Sequence, residues 1–292
     1  MKVNRLLHEI LRGQWLIEPM TAQSFKPLVA NIVAGSPNKM EAYMKDEEPE
    51  AIYFINESGS RTNVQNTNPD DDVIAVVNMV GPVIKYGDMC TWGADEIVQQ
   101  LNLAEQMENV KGTILYIDGP GGSTSAIGPF QQFAQTKTKP VVALCDMTCS
   151  LHYWTAVAVA DHIMADNDVS ALFGSVGVVC SFIDEKPYWE DKGIKFHEIY
   201  PDESKHKNEV YRLALEGKYD QIKSEHLSPL AQKFQNAVRE NRPNLTDATG
   251  VLTGKTFGAD KALEYGLIDS IGSMRQAVST LMMLAELQTV TP

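Results

Sequence analysis

From residue 73 onward, short apolar runs alternate along the chain with longer stretches whose apolar residues recur every three to four positions. Short apolar runs are typical of buried strands, and the wider spacing is typical of amphipathic helices. In chain order the pattern predicts strands at Val73–Met79, Gly112–Ile117, Pro140–Leu144 and His162–Ala165, and helices at Ala94–Met107, Leu151–Ala160 and, with a break at Pro229, Glu209–Glu240. Strands separated by helices of this length form βαβ units, so we expect an α/β fold with a mostly parallel sheet.

The first 72 residues follow a different pattern. Met1–Trp15 interleaves charged and apolar residues at the spacing of a short amphipathic helix. Residues 57–72 are polar, rich in Asn, Ser and Asp, and have no hydrophobic period, which indicates a linker. We therefore divide the chain into an N-terminal accessory segment (1–56), a linker (57–72), an α/β domain (73–285) and a C-terminal tail (286–292).

Composition and charge exclude several classes of function. The 292 residues are 43% hydrophobic and 22% charged, as in an ordinary globular protein. A net charge of −13 disfavours nucleic acid and anionic membranes as partners. We find neither a secretory signal nor a run approaching the roughly 20 apolar residues of a membrane span. The four cysteines form no C-x-x-C pair, and no H-E-x-x-H motif occurs, so we expect a cytoplasmic protein without metal or cofactor.

Two predicted strand ends carry residues suited to nucleophilic chemistry. In α/β units, active sites form beyond the carboxyl ends of the strands. One strand leads into Gly121-Gly122, where backbone N–H groups are open to a substrate oxygen, and the next leads into Ser150 at a helix start, where the N–H of Leu151 is free. Together they predict a nucleophile beside an oxyanion hole. Taken singly, a glycine pair is more often a turn and such a serine more often a helix cap.

Several short motifs occur along the chain in the same order as in a known family of proteins. The motifs are Ile117-Asp118-Gly119-Pro120-Gly121-Gly122, Lys139-Pro140-Val141-Val142-Ala143, Ser150-Leu151-His152-Tyr153-Trp154, Ala160-Asp161-His162-Ile163-Met164-Ala165, Phe173-Gly174-Ser175-Val176-Gly177-Val178, Ser204-Lys205-His206-Lys207, Leu252-Thr253-Gly254-Lys255 and Ala262-Leu263-Glu264-Tyr265-Gly266-Leu267-Ile268-Asp269. In this order, from Val73 to Val278, the sequence resembles the signal peptide peptidase A-like serine–lysine protease family. The resemblance implies the Clp-protease/crotonase-like type of fold.

The resemblance also implies a Ser/Lys dyad. Ser150 stands where the family has its nucleophile, Lys207 where it has its general base, and Ser175 where a second serine orients that lysine. Lys205 is the rival base, two residues away. A lysine with its ordinary pKa of about 10.4 is almost fully charged at pH 7, so the base must be desolvated. We therefore expect substrate or a neighbouring subunit to cover it.

The implied oxyanion hole combines the backbone N–H of Gly121 or Gly122 with that of Leu151. The family usually has small residues after the nucleophile, whereas Leu151 and His152 are bulky. A histidine base is the weaker alternative. His152 lies only two residues from Ser150 at a helix start and is expected to point away from it, and His197 and His206 lie in the right region but have no counterpart in the family. Cys149 falls one position before the motif serine.

These observations predict a serine endopeptidase with an acyl-enzyme mechanism, acting on extended polypeptide laid beside Gly121-Gly122 as an added strand. The resemblance implies a homo-oligomer whose active sites lie near the subunit interfaces. Because we find no membrane-anchoring segment, it also implies the phage head-maturation branch of the family. Its substrates are then capsid or scaffold proteins, in the host cytoplasm or the prohead interior. The alternatives are cytoplasmic degradation of peptides, a crotonase-like acyl-CoA enzyme, and a non-catalytic assembly protein. Residues 1–56 remain open as a propeptide, a docking arm or an oligomer contact.

Overall fold

A nine-stranded sheet forms the centre of the protein. The computed structural model describes residues 14–17, 50–62, 71–87 and 93–290. The strands are β1 (Gln14–Ile17), β2 (Ile52–Ile55), β3 (Arg61–Thr62), β4 (Val73–Val80), β5 (Val110–Gly119), β6 (Gly121–Ser123), β7 (Val141–Cys149), β8 (His162–Ala165), β9 (Leu172–Gly174), β10 (Val179–Cys180), β11 (Thr256–Gly258) and β12 (Ser270–Ile271). The main order is β11-β9-β7-β5-β4-β2-β3, and β4, β5, β7 and β9 run parallel. The predicted α/β fold with a mostly parallel sheet is confirmed.

Helices follow most of the parallel strands. They are α1 (Ala94–Gln106), α2 (Ile127–Thr136), α3 (Leu151–Val159), α4 (Lys186–Asp191), α5 (Glu209–Leu215), α6 (Ser228–Asn241), α7 (Ala259–Glu264) and α8 (Met274–Val290). Helical residues Asp220–Ile222 and a π-helical turn, Lys223–Leu227, lead into α6. The helical region changes at the predicted position, because the π-helical turn ends at Leu227 and Pro229 lies in the first turn of α6, where no backbone N–H is needed. A further interruption falls at Gly217, whose φ is +76°.

The sheet lies between two layers of helices because its strands are apolar on both faces. One face packs on α1, α2 and α3, and the other packs on α8. The first face carries Val77, Leu115 and Ala143, and the second carries Val76, Ile114 and Val142. Such alternation between two buried faces is what a parallel sheet in an α/β protein requires.

The central strand β7 is longer than the sequence predicts. It continues through Cys149, whereas the predicted strand ends at Leu144. Its second half stays in the sheet because β5 pairs along one side and β9 pairs with Met147–Cys149 along the other. Backbone pairing on both sides therefore outweighs the polar side chains of Asp146 and Thr148.

An ion pair joins the end of α6 to the segment before β12. Arg242 donates two hydrogen bonds to the Asp269 carboxylate, at 2.7 and 2.9 Å, and a third to the Gly266 carbonyl at 2.9 Å. Burial alone raises the pKa of Asp269, but the guanidinium outweighs it and the net shift is downward. The pair holds the C-terminal part of the fold against β8, since Asp269 also accepts the N–H of Ile163.

A second, three-stranded sheet contains the N-terminal strand. Its order is β10-β1-β6, with β1 antiparallel to both neighbours. The predicted helix Met1–Trp15 lies outside the described residues up to position 13, and at Gln14–Ile17 the backbone is a strand.

The division of the chain into segments stays a prediction. Strands and a helix lie at or across the predicted boundaries. β2, which precedes residue 56, pairs with β4 in the main sheet, and β3 lies within the expected linker. The last helix continues to Val290, past the expected start of the tail at 286.

Candidate active site

Ser150 is the single residue between the strand β7 and the helix α3. Its φ is +56°, a conformation that a non-glycine residue adopts at a cost of roughly 1–3 kcal/mol. Two backbone hydrogen bonds hold it there, from its N–H to the Gly174 carbonyl at 2.8 Å and from the Trp154 N–H to its own carbonyl at 2.9 Å. The residue is only 2% exposed. A serine is thus fixed in a strained turn at the carboxyl edge of the sheet and at the N-terminus of a helix.

Ser175 lies beside Ser150 for a topological reason. Cys149 and Gly174 are paired in the parallel strands β7 and β9, so the serines that follow them emerge next to each other. Ser175 also has a positive φ, +54°, and is nearly buried. Its N–H donates to the Lys255 carbonyl at 2.8 Å, which ties this turn to the segment before β11.

The glycine loop packs directly against the start of α3. A Cβ on Gly122 would lie 1.9 Å from the Val83 carbonyl oxygen and 2.9 Å from Cδ2 of Leu151, so only glycine fits there. Gly121 adopts a φ of +121°, which also favours glycine. Gly122 and Leu151 are therefore neighbours, and the oxyanion hole assigned to the backbone N–H groups of Gly121, Gly122 and Leu151 stays a prediction.

The two candidate lysines lie on an exposed segment of the chain. Lys205 and Lys207 are exposed, and within the described part of the chain neither donates a hydrogen bond to Ser150. They belong to a segment, residues 181–208, which we call the arm. Every residue from 181 to 199 is exposed. One copy of the chain thus brings the two serines and the glycine loop together, and the role of the exposed lysines stays a prediction.

The arm is unusual for its apolar surface. Seven large hydrophobic residues on it are exposed, namely Phe182, Ile183, Tyr188, Trp189, Ile194, Phe196 and Ile199. Ile199 is 94% exposed, and Ile183 is 69% exposed. So many exposed apolar side chains on one segment are characteristic of an interaction surface.

His152 does not offer an alternative base. Its side chain is fully buried against Gly119, where a Cβ would lie 2.4 Å from the His152 Nε2 atom. Burial lowers the pKa of His152 to about 3, and the nearby Gly81 carbonyl opposes this shift only in part. Among the described residues, neither ring nitrogen has a hydrogen-bond partner of good geometry. A group with so low a pKa is too weak a base to take the proton of a serine.

The motif residues after Ser150 serve packing. Trp154 stacks on Phe234 of α6, with ring centroids 4.6 Å apart, and Tyr153 donates to the Leu267 carbonyl at 2.8 Å. The thiol of Cys149 is buried and directed to the Leu172 carbonyl at 3.7 Å.

Three aspartates that the sequence predictions omit lie at the same edge of the sheet. Asp118, Asp146 and Asp166 stand at or near the ends of three neighbouring strands, a position that the sequence already signals. Burial raises the pKa of Asp118, and the Asp146 carboxylate adds to the shift. Burial also raises the pKa of Tyr116 to about 12, helped by the Asp166 carboxylate. This negative charge favours the protonated form of any lysine close to it.

The described residues contain no group of three or more His, Cys, Asp or Glu side chains arranged to hold a metal ion. The helices described in this structure also include none with the length and apolar character needed to cross a bilayer.

The chain is similar to known peptidases. The model of peptidase family S49 matches residues 133–288, more than half of the chain. This range contains Ser150, Ser175 and both candidate lysines, whereas the glycine loop precedes it. Protease 4 of Haemophilus influenzae is 27% identical over 226 residues, which are 70% of this chain and 34% of that protein. The head-tail preconnector protein GP5 of Enterobacteria phage P21 is 26% identical over 218 residues, 71% of this chain and 42% of that protein. The chain therefore spans between a third and a half of these relatives.

Proposed function

Because the chain belongs to peptidase family S49, we propose that it is a serine endopeptidase with Ser150 as the nucleophile. The observation that carries this proposal is the strained turn at Ser150, with Ser175 on one side and the Gly121-Gly122 loop against Leu151 on the other. Backbone strain held in place by surrounding hydrogen bonds is characteristic of catalytic positions.

In the proposed mechanism, Oγ of Ser150 attacks the peptide carbonyl carbon while the neutral amine of Lys207 takes the hydroxyl proton. The negative oxygen of the tetrahedral intermediate is held by backbone N–H groups of the glycine loop and Leu151. Collapse of the intermediate breaks the C–N bond, and Lys207 returns the proton to the leaving amine. Water then attacks the acyl-enzyme by the same route and releases Ser150. Ser175 orients the lysine amine.

A neighbouring copy of the chain supplies the lysine in this proposal. Lys207 is exposed on the arm within one copy, and a base that is neutral at pH 7 requires desolvation. The exposed apolar side chains of the arm give a reason for it to pack on another copy. When the arm of one copy packs over Ser150 of the neighbouring copy, its Lys207 completes the dyad and water is excluded from the site. A homo-oligomer is thus part of the active enzyme.

The proposed substrate is an extended polypeptide paired with the glycine loop. The phage preconnector relative supports a role in phage assembly, with capsid or scaffold proteins as substrates in the host cytoplasm or the prohead. The similarity to Protease 4 supports the alternative of general peptide degradation. The acyl-CoA alternative receives no support, because the family match is to peptidases.

Labelling with a fluorophosphonate and cleavage of an unfolded protein test the dyad. Wild type is expected to be labelled and active, whereas Ser150→Ala and Lys207→Ala lose both properties, and the matched variant Lys205→Ala retains them. Loss of activity in Lys205→Ala alone assigns the base to that residue. Full activity of Ser150→Ala refutes the proposal.

Mixing the two inactive variants tests the origin of the lysine. If each dyad spans two copies, mixed oligomers of Ser150→Ala and Lys207→Ala regain about a quarter of the wild-type sites, because a copy with an intact serine then meets a copy with an intact lysine. If each dyad lies within one copy, the mixture stays inactive.

A further inference from the structure

A groove beside the glycine loop is bounded by two short strands that do not pair with each other. Gly121–Ser123 forms one wall, and Val179–Cys180 forms the other. The strand Gln14–Ile17 lies between them and pairs antiparallel with both. The groove therefore accepts a polypeptide strand through backbone pairing on two sides, which is the recognition mode of β-strand addition.

Backbone directions show which groups the first wall offers. The other side of this wall is occupied by Val83, whose N–H donates to the Gly121 carbonyl at 3.2 Å and whose carbonyl accepts the Ser123 N–H at 2.9 Å. Because neighbouring residues of a strand alternate, the N–H and C=O of Gly122 face the groove. The register places Leu16 opposite Gly122.

The second wall engages the next residue of the occupant. Trp15 is in register with Val179, and Gln14 is in register with Cys180. Since Leu16 turns its backbone groups to Gly122, those of Trp15 turn to Val179. Alternate residues of the N-terminal strand are thus bound by alternate walls.

The register also fixes the direction of the strand. It runs antiparallel to the glycine wall, with Ile17 at its carboxyl end opposite Gly121. A Cβ on Gly122 would in turn lie 2.9 Å from Cδ2 of Leu151, the residue after the proposed nucleophile. The strand therefore runs along the glycine wall that packs on the start of α3, beside the proposed nucleophile.

We propose that Gln14–Ile17 is an internal occupant of the substrate groove, so that the N-terminal segment competes with external polypeptides for the two walls. This inference rests on the proposed function, because it assigns the regulation of the same site. An occupant on the same chain acts at an effective concentration of about millimolar. A groove that is open about one tenth of the time lowers the apparent affinity for external peptide about tenfold.

A binding experiment tests the proposal without requiring catalysis. The full-length Ser150→Ala protein is titrated with a fluorescein-labelled peptide of residues 11–19 (LRGQWLIEP), followed by anisotropy. Leu16→Pro in this background removes the N–H that faces Gly122 and is expected to tighten peptide binding about tenfold. Gln23→Pro, a proline beyond the strand, is expected to leave the affinity unchanged. Equal affinities for the Leu16→Pro protein and its parent overturn the proposal, as does an equal gain from Gln23→Pro.

Trp15→Pro provides a second test, because it breaks pairing with the other wall. The same gain in affinity is expected, and circular dichroism of each variant checks that the main fold is retained.

The groove proposal and the protease proposal can fail independently of each other. If Leu16→Pro tightens binding but the same substitution with Ser150 intact cleaves nothing, the protease proposal fails and the groove proposal stands. If the enzyme cleaves protein but neither proline changes the binding of peptide, only the groove proposal fails.

Discussion

Acidification from pH 8 to pH 5 is expected to destabilise the protein through one buried side chain, His152. Its imidazole has no solvent exposure, lies against Gly119, and has its pKa lowered by burial to about 3. In the unfolded chain the pKa of a histidine is about 6.5. The folded pKa lies below the unfolded one, so the unfolded state binds the proton first as the pH falls. Stability is therefore lost progressively from pH 6.5 down to about pH 3.

The size of the effect follows from the two pKa values. At pH 8 both states hold the neutral ring, and the contribution is close to zero. At pH 5 the unfolded ring is almost fully protonated while the folded ring stays neutral, which lowers the free energy of unfolding by about 2 kcal/mol. Such a loss is a large fraction of the 5–15 kcal/mol that typically separates folded and unfolded states.

Urea unfolding of wild type and His152→Leu at both pH values, at one protein concentration, measures this contribution. The wild type is expected to lose about 2 kcal/mol more than the variant between pH 8 and pH 5. His226→Gln, at an exposed histidine, is the matched control. An identical pH dependence in wild type and His152→Leu would refute the reasoning, since it would mean that the ring is protonated in the folded state as readily as in the unfolded chain.

Two further predictions follow from close contacts. Gly122→Ala places a methyl group 1.9 Å from a backbone oxygen and is expected to abolish fluorophosphonate labelling of the nucleophile, whereas Gly128→Ala, in α2 with nothing within 4 Å, retains it; labelling of both variants contradicts the assigned geometry. Arg242→Met leaves the half-buried carboxylate of Asp269 unpaired and is expected to cost about 2 kcal/mol in urea unfolding. Lys261→Met removes only an exposed ion pair and is expected to cause no measurable change.

The periodicity of the sequence predicts the core elements because burial on both faces of the sheet leaves unbroken apolar runs. His162–Ala165 is a strand at the predicted residues, and Ala94–Gln106 is a helix one residue shorter than predicted. The second half of β7 cannot be predicted from periodicity, because Asp146 interrupts its apolar run and the backbone pairing that holds it comes from distant strands.

Only the part of the candidate site that lies at the ends of neighbouring strands can be predicted from the sequence. Ser150 and the glycine pair follow strand ends that lie side by side in a parallel sheet, so their proximity can be derived from the sequence. The position of Lys207 cannot, because it depends on an exposed arm. The strand at Gln14–Ile17 cannot be predicted either, since its partners lie more than a hundred residues away along the chain and Met1–Trp15 has the spacing of a helix.

The exposed apolar arm has a consequence for the kinetics of the proposed enzyme. When the lysine comes from a second copy, a lone chain has no working dyad, and the rate rises with more than the first power of protein concentration until the oligomer is saturated. Dilution then lowers the activity of the enzyme and confinement raises it. A protease of this design is active where many copies are enclosed together and inactive when they are dispersed.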